Sequence, residues 1–254
     1  MTHAELLELA ARLATEAGQA IEAIRRAGFA IERKGDASPV TAADRLAEGI
    51  ITEGLRLATP DWPVVAEEAC AEGDIPDICE KFWLVDPLDG TREFAEGRDE
   101  YVVCIALIEQ GRPLLGVLMA PAHGVVYAGI VGEGAWREEG GQRRPIQARR
   151  PPAEGLHLLD SRSHRDAAAT AAFSAELNVT QTTRMGSALK FAWMAEGRAD
   201  VMPRLATGIM EWDTAAGQAV LEAAGGRVLD SSGAPLAYGK PNYRNPGFVA
   251  WGRA

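Results

Sequence analysis

Leu6, Leu9, Ala10, Leu13, Ala17, Ile21 and Ile24 recur three or four residues apart, the spacing that gives a helix one apolar face. Thr2-His3-Ala4-Glu5 in front of them has the T-x-x-E form of a capping box, so the pattern predicts a long amphipathic helix ending near Gly28. The segment 34–44, K-G-D-A-S-P-V-T-A-A-D, carries Gly35, Ser38 and Pro39 and reads as a loop. Its last four residues repeat the T-x-x-D form and open a second helix, through Leu46, Ile50 and Ile51 to about Leu57. The period then changes. Val64-Val65-Ala66 and Phe82-Trp83-Leu84-Val85 are short, apolar and partly β-branched, which predicts two buried strands. Between them Glu72, Asp74, Asp77 and Glu80 predict a solvated loop. Pro87 offers no N–H to a sheet ladder, so the second strand is expected to stop at Asp86.

Tyr101–Glu109, 113–120 and 124–130 form three further β-type runs with short turn signals between them, which favours antiparallel hairpins. Gly132, Gly134, Gly140 and Gly141 predict a bend, and the basic, proline-rich stretch 143–152 a domain boundary. Beyond it strands and helices interleave: strands at 156–159, 179–183, 199–202, 227–229 and 248–251, helices at 166–177, 188–196 and 212–224. The pattern predicts an α/β protein with an N-terminal α+β domain over 1–152 and a C-terminal α/β domain over 153–254.

Composition adds exclusions. The 254 residues are 47% hydrophobic and 24% charged, an ordinary globular mixture with ample material for a core. A net charge of −10 without any basic stripe argues against a nucleic-acid polymer as partner. It leaves room for a small phosphorylated metabolite. Cys70, Cys79 and Cys104 have no C-x-x-C spacing and read as buried or half-buried thiols in a reducing compartment. The acidic opening M-T-H-A-E-L-L-E-L lacks the form of a signal peptide, and no apolar run nears the ~20 residues of a membrane span. A cytoplasmic protein, monomer or homodimer, is the expectation.

The chemistry centres on residues 83–94, W-L-V-D-P-L-D-G-T-R-E-F. Asp86 and Asp89 stand at the end of a strand, and Gly90 and Thr91 follow where a helix or turn can open. Such a place suits a hard cation and a phosphate together. An Asp pair here could equally cap a turn. Two unpaired carboxylates about 4 Å apart repel by roughly 4 kcal/mol at an effective dielectric near 20, so acids that converge require a cation between them. Glu67 leaves its strand as Asp86 does, and carboxylates at the ends of neighbouring strands converge. Asp44 and Asp213 each lie in the first turn of a predicted helix, where capping is their competing explanation. Ser187 is placed to cap the helix carrying Lys190, and Arg204 follows a strand. Of the histidines, His164 alone is a candidate substrate contact.

W-L-V-D-P-L-D-G-T at 83–91 and W-D-T-A-A-G at 212–217 resemble the two signatures, W-x-[VI]-D-P-[IL]-D-G-T and W-D-x-A-[AG]-G, of the magnesium-dependent, lithium-sensitive phosphatases typified by inositol monophosphatase. With V-T-A-A-D at 40–44 and E-E at 67–68 the resemblance spans nearly the whole chain. D-G-T-R-E-F is similar to the D-G-T-[KR]-E-F of the 3′(2′),5′-bisphosphate nucleotidase (CysQ-type) branch, where inositol phosphatases usually read D-G-T-x-N-F. S-R-S-H-R-D at 161–166, G-S-A-L-K-F at 186–191, P-R at 203–204 and N-P-G-F at 245–248 also fit, while Ala188 stands where that branch often has Ser.

The resemblance implies a five-layer αβαβα sandwich of the inositol monophosphatase and fructose-1,6-bisphosphatase type. It implies two or three magnesium ions on Glu67, Asp86, Asp89, Asp213 and the carbonyl of Leu88. It further implies that Gly90 and Thr91 hold the scissile phosphate, with Ser187, Lys190, Arg204, Asp89, Asp213 and His164 around the rest of the substrate. The expected reaction is hydrolysis of 3′-phosphoadenosine 5′-phosphate by a metal-activated water, with Glu67 and the pair Asp44–Thr91 handling protons. Inositol monophosphate or a sugar bisphosphate is the alternative substrate. A haloacid-dehalogenase-like phosphatase needs two acids separated by one residue, whereas Asp86 and Asp89 are separated by two.

Overall fold

The computed structural model describes residues 1–27, 31–33, 39–163 and 166–254. Its helices are α1 (His3–Ala27), α2 (Ala42–Ala58), α3 (Glu67–Glu72), α4 (Thr91–Ala95), α5 (Ala167–Ala175), α6 (Leu189–Ala195) and α7 (Trp212–Ala223). The strands of the first half are β1 (Ile31–Arg33), β2 (Pro39–Thr41), β3 (Val64–Ala66), β4 (Lys81–Asp89), β5 (Val102–Glu109), β6 (Arg112–Ala120), β7 (Val125–Ile130), β8 (Gly134–Glu139) and β9 (Gln142–Ile146). Those of the second half are β10 (Leu156–Ser161), β11 (Val179–Met185), β12 (Val201–Arg204), β13 (Ile209–Met210), β14 (Arg227–Asp230), β15 (Arg244–Asn245) and β16 (Phe248–Trp251).

A seven-stranded sheet runs in the order β3-β4-β5-β6-β7-β8-β9, and a five-stranded sheet in the order β11-β10-β12-β16-β14. Helices α1 and α2 cover one face of the large sheet; α6 and α7 fill the space between the sheets, and α5 lies against the small one. The result is a layered α/β fold. Burial on both faces explains why the central strands read as continuous apolar runs. Trp83, Val85, Val103, Ile105 and Leu107 enter the core under α1 and α2. Phe82, Leu84, Val102, Cys104, Ala106 and Ile108 alternate with them and enter the core shared with α6 and α7. Gly116 lets α7 approach closely: a Cβ there would stand 2.5 Å from the Ala216 carbonyl oxygen and 2.7 Å from the Ala219 Cβ.

The predicted capping box forms, Thr2 N–H donating to Glu5 Oε2 (2.7 Å) and Glu5 N–H to Thr2 Oγ1 (3.2 Å). The antiparallel hairpins of β5, β6 and β7 form as well. Three expectations are corrected. Residues 132–141 are not a mere bend: Gly140 and Gly141, both at positive φ, turn an added hairpin of β8 and β9. β9 is exposed and β8 largely half-buried, both charged, with Glu138 opposite Arg143, so no apolar alternation announces them. The acidic run 72–80 is irregular beyond Glu72, as expected, but the segment before it forms the helix α3 (Glu67–Glu72), which no sequence pattern marks. Cys79 in that irregular segment is exposed rather than buried or half-buried as expected, while Cys70 is half-buried and Cys104 buried. Finally, β4 does not stop at Asp86. The ladder with β5 skips Pro87 and Leu88 and resumes at Asp89 opposite Val102, so the proline sits in a bulge where its missing N–H costs nothing.

Candidate active site

The large sheet's second strand carries the site. Strand β3 runs parallel to β4 with Ala66 beside Val85, so the next residue of each, Glu67 and Asp86, emerges at the same end. From the opposite layer, α7 delivers Asp213 in its first turn, where one carboxylate oxygen accepts the Met210 N–H at 3.1 Å. Ligand oxygens of Glu67, Asp86 and Asp213 all lie within 4.8 Å of one another. Asp86 is 2% exposed, and its Oδ1 accepts the Leu88 N–H at 3.0 Å across the bulge.

These three acids, with Leu88, Asp89, Gly90, Thr91 and Ser187, line one cleft of about 210 Å³. Asp89 stands beside the trio rather than within it, and its carboxylate accepts the Ala188 N–H. Gly90 has φ +98°, and a Cβ there would meet the Glu100 carbonyl oxygen at 2.7 Å, so the turn into α4 is built for glycine. The Thr91 hydroxyl lies 3.3 Å from Asp44 Oδ1 and 3.0 Å from the Leu88 carbonyl oxygen. With one hydrogen to donate, it is shared between the two acceptors.

A second compartment of about 120 Å³ continues from the first through Asp89, Ser161, Ser187 and Asp213, and is walled by Lys190, Arg204, Phe191 and Phe248. The buried ammonium of Lys190 donates to the carbonyls of Met185 (3.3 Å) and Ser187. Ser187 holds φ +52° and accepts the Leu189 N–H at 3.2 Å, so its hydroxyl does reach the first turn of α6, although Ala188 occupies the cap position itself. His164 lies outside the described residues.

The electrostatics follow from burying like charges. Asp86 and Asp213 are pushed well above the carboxylate range, first by burial and then by the other acids of the cleft. Burial also raises Asp89, to about 6, against the pull of Lys190 and the Ala188 N–H. Lys190 falls to about 8 because burial penalises its charge, partly offset by Asp89. The thiol of Cys104, paired across the ladder from Asp86, rises through burial and the nearby acids.

Several lining residues escaped the sequence reading: Glu68, Glu93, Ser161, Ser163 and Gly186. Ser163 donates to Glu93 Oε1 at 2.8 Å, and Arg162 grips Glu100 through two bonds of 3.0 and 2.6 Å. Glu100 also accepts the Gly186 N–H at 2.8 Å. The motifs T-R-E-F and S-R-S-H-R-D contained most of these residues, but only the fold pairs them.

The chain matches the model of the inositol monophosphatase family over residues 2–250. It belongs to that family. Among the family's proteins, the 3′(2′),5′-bisphosphate nucleotidase CysQ of Salmonella typhimurium is 46% identical over 248 residues, 96% of this chain and 98% of that one. The protein of the same name from Escherichia coli K12 is 45% identical over 249 residues, covering 96% and 98%. Of solved family structures, CysQ from Bacteroides thetaiotaomicron superposes with a TM-score of 0.81 at 31% identity, covering 98% of each chain. An inositol monophosphatase from Zymomonas mobilis reaches the same TM-score at 29% identity, covering 100% of this chain and 94% of that one. The family's layered fold is the one found here. Among the described residues no helix is long and apolar enough to cross a membrane.

Proposed function

We propose that the chain is a magnesium-dependent 3′(2′),5′-bisphosphate nucleotidase, acting on 3′-phosphoadenosine 5′-phosphate to give AMP and phosphate. The observation that carries this reading is the meeting of the Glu67, Asp86 and Asp213 carboxylates within 4.8 Å, on a cleft that also holds Asp89, Gly90 and Thr91.

The donor set fits a hard divalent cation. Every side chain of the trio offers oxygen, and among the described residues no histidine or cysteine lines the cleft. Glu67, Asp86, Asp89 and Asp213, with the Leu88 carbonyl, would hold two or three magnesium ions. When bound, the ions would polarise the phosphoryl oxygens and make water a nucleophile near neutral pH. The protein's own groups do the remaining work. Gly90 and Thr91 begin α4 at the cleft, and first-turn N–H groups lack partners within their own helix, so phosphate oxygens are suitable acceptors. The Thr91 Oγ1 lies within reach of Asp44 and the Leu88 carbonyl, so it can pass its own proton to the Asp44 carboxylate while taking one from the attacking water.

The second compartment favours a substrate with two phosphates. Lys190 and Arg204 bring cationic groups to a buried space next to the acids, and Phe191 and Phe248 give it apolar walls. The relatives named CysQ are called 3′(2′),5′-bisphosphate nucleotidases, which supports the same substrate class. The test is kcat/KM with magnesium for the nucleotide bisphosphate, inositol monophosphate and fructose bisphosphate. The nucleotide is expected to lead by at least ~100-fold, EDTA to abolish turnover, and Arg204→Gln to erase most of the preference. Equal kcat/KM for all three would overturn the substrate, and full activity in EDTA the metal.

A further inference from the structure

Glu48 is a buried acid that the chemistry above does not use. It lies on α2 one turn beyond Asp44, so the two side chains share a helix face. Its Oε2 accepts the Glu68 N–H at 2.8 Å and its Oε1 the Ala69 N–H at 2.9 Å. These donors belong to the first turn of α3. The residue at the cap position of α3 is Ala66, which makes no side-chain capping bond. An uncapped first turn leaves N–H groups bare, at a cost of about 1 kcal/mol of helix stability. Glu48 supplies the missing cap from 20 residues away.

The turn it holds begins at Glu67, whose carboxylate meets Asp86 and Asp213. Two bonds from one carboxylate to consecutive N–H groups fix orientation as well as position. A glutamine could offer only its single carbonyl oxygen in the same place, because its NH2 group donates. Meanwhile Asp44, one turn earlier, holds the Thr91 hydroxyl. We propose that Glu48 is a positioning residue for Glu67, and that α2 acts as a rigid bar setting Glu67 and Thr91 at a fixed separation. This rests on reading the cleft as a divalent-ion site.

The experiment strips the purified chain with EDTA and titrates magnesium into wild type, Glu48→Gln, Glu48→Ala and a control, Leu55→Ala. The readouts are calorimetric binding and the rise in Tm, with circular dichroism to verify folding. Leu55 is fully buried on the same helix but makes none of these bonds, so the control loses stability alone. Outer groups that orient metal ligands typically govern affinity by about 10–100-fold. Glu48→Ala is therefore expected to raise the magnesium midpoint by roughly that factor, Glu48→Gln by about 3–10-fold, and Leu55→Ala by less than about twofold. A Glu48→Ala protein with a lower metal-free Tm but an unchanged midpoint would overturn the proposal. If Glu48→Ala does not fold, Glu48→Gln decides, and a midpoint matching wild type overturns it. A wild type with no magnesium response would sink the divalent-ion reading and the positioning role together; a responsive wild type with indifferent Glu48 variants sinks only the latter.

Discussion

Removing a charge from a crowded acidic cleft stabilises the protein when no cation is present, and Asp86→Asn tests this. The oxygens of Glu67, Asp86 and Asp213 approach within 4.8 Å, where two ionised carboxylates repel by roughly 3.5 kcal/mol at an effective dielectric near 20. Asparagine keeps the shape and an oxygen for the Leu88 N–H, but a neutral acceptor makes that bond about 1 kcal/mol weaker. The net expectation is a gain of about 2 kcal/mol in EDTA at pH 8, or roughly 4–8 °C in Tm for a chain of this size. The sign with pH is fixed by the raised carboxyl of Asp86. Its folded form binds a proton more readily than its unfolded form, so its penalty is absent below about pH 4 and grows as pH rises toward the elevated folded value. The variant's advantage should therefore shrink on acidification. Saturating magnesium should reverse the order, since an ion at 100 times its Kd adds about 2.7 kcal/mol to whichever protein binds it. Scanning calorimetry in EDTA and in magnesium, at pH 5 and pH 8, measures all of this. An Asp86→Asn protein less stable than wild type in EDTA at pH 8, or one whose gap ignores pH, would refute the electrostatic argument.

Thr91→Val keeps the side-chain volume but deletes the hydroxyl shared by Asp44 and Leu88; kcat should fall by about 10²–10⁴-fold with KM nearly unchanged in steady-state assays. A Thr91→Val enzyme with wild-type kcat would remove the hydroxyl from the proton path. Gly186→Ala would bring a Cβ within 2.5 Å of the Glu93 Cδ, so either the Glu93 side chain, with its bond from Ser163, or the turn that carries Ser187 and Ala188 must shift. Urea unfolding should report a loss of about 1–3 kcal/mol, accompanied by a higher KM; an unchanged KM would detach that turn from substrate binding.

The parts of the fold written in local chemistry were legible. The Thr2–Glu5 box, the apolar stripe of α1 and the β-branched runs of β4 and β5 each contain their own instructions. What escaped depends on partners distant in sequence. Helix α3 carries no local start signal because its cap comes from Glu48. The β8–β9 hairpin carries charge where a strand pattern needs apolar alternation, and only its Gly140-Gly141 turn betrayed it. In the candidate site, Asp86 and Glu67 could be placed together because both leave strands, yet nothing local foretold that Glu100 would hold Arg162 and the Gly186 N–H at once. Lys190 was expected at the substrate, and it does wall the second compartment, but its ammonium also ties down the Met185 and Ser187 carbonyls.

The bulge at Asp86–Asp89 has a mechanical consequence. A loop crowded with like charge can relax by swinging outward. Here the ladder with β5 closes on both sides of the bulge, at Asp86 and again at Asp89, and β3 pairs with β4 up to Val85, so outward movement would break strand pairing. Relief must arrive from solvent, as protons in the bare protein and as cations in the loaded one. Loading should therefore leave amide exchange along β4 and β5 almost untouched, and because burial and crowding raise the acids' hold on protons, ion binding should weaken as pH falls.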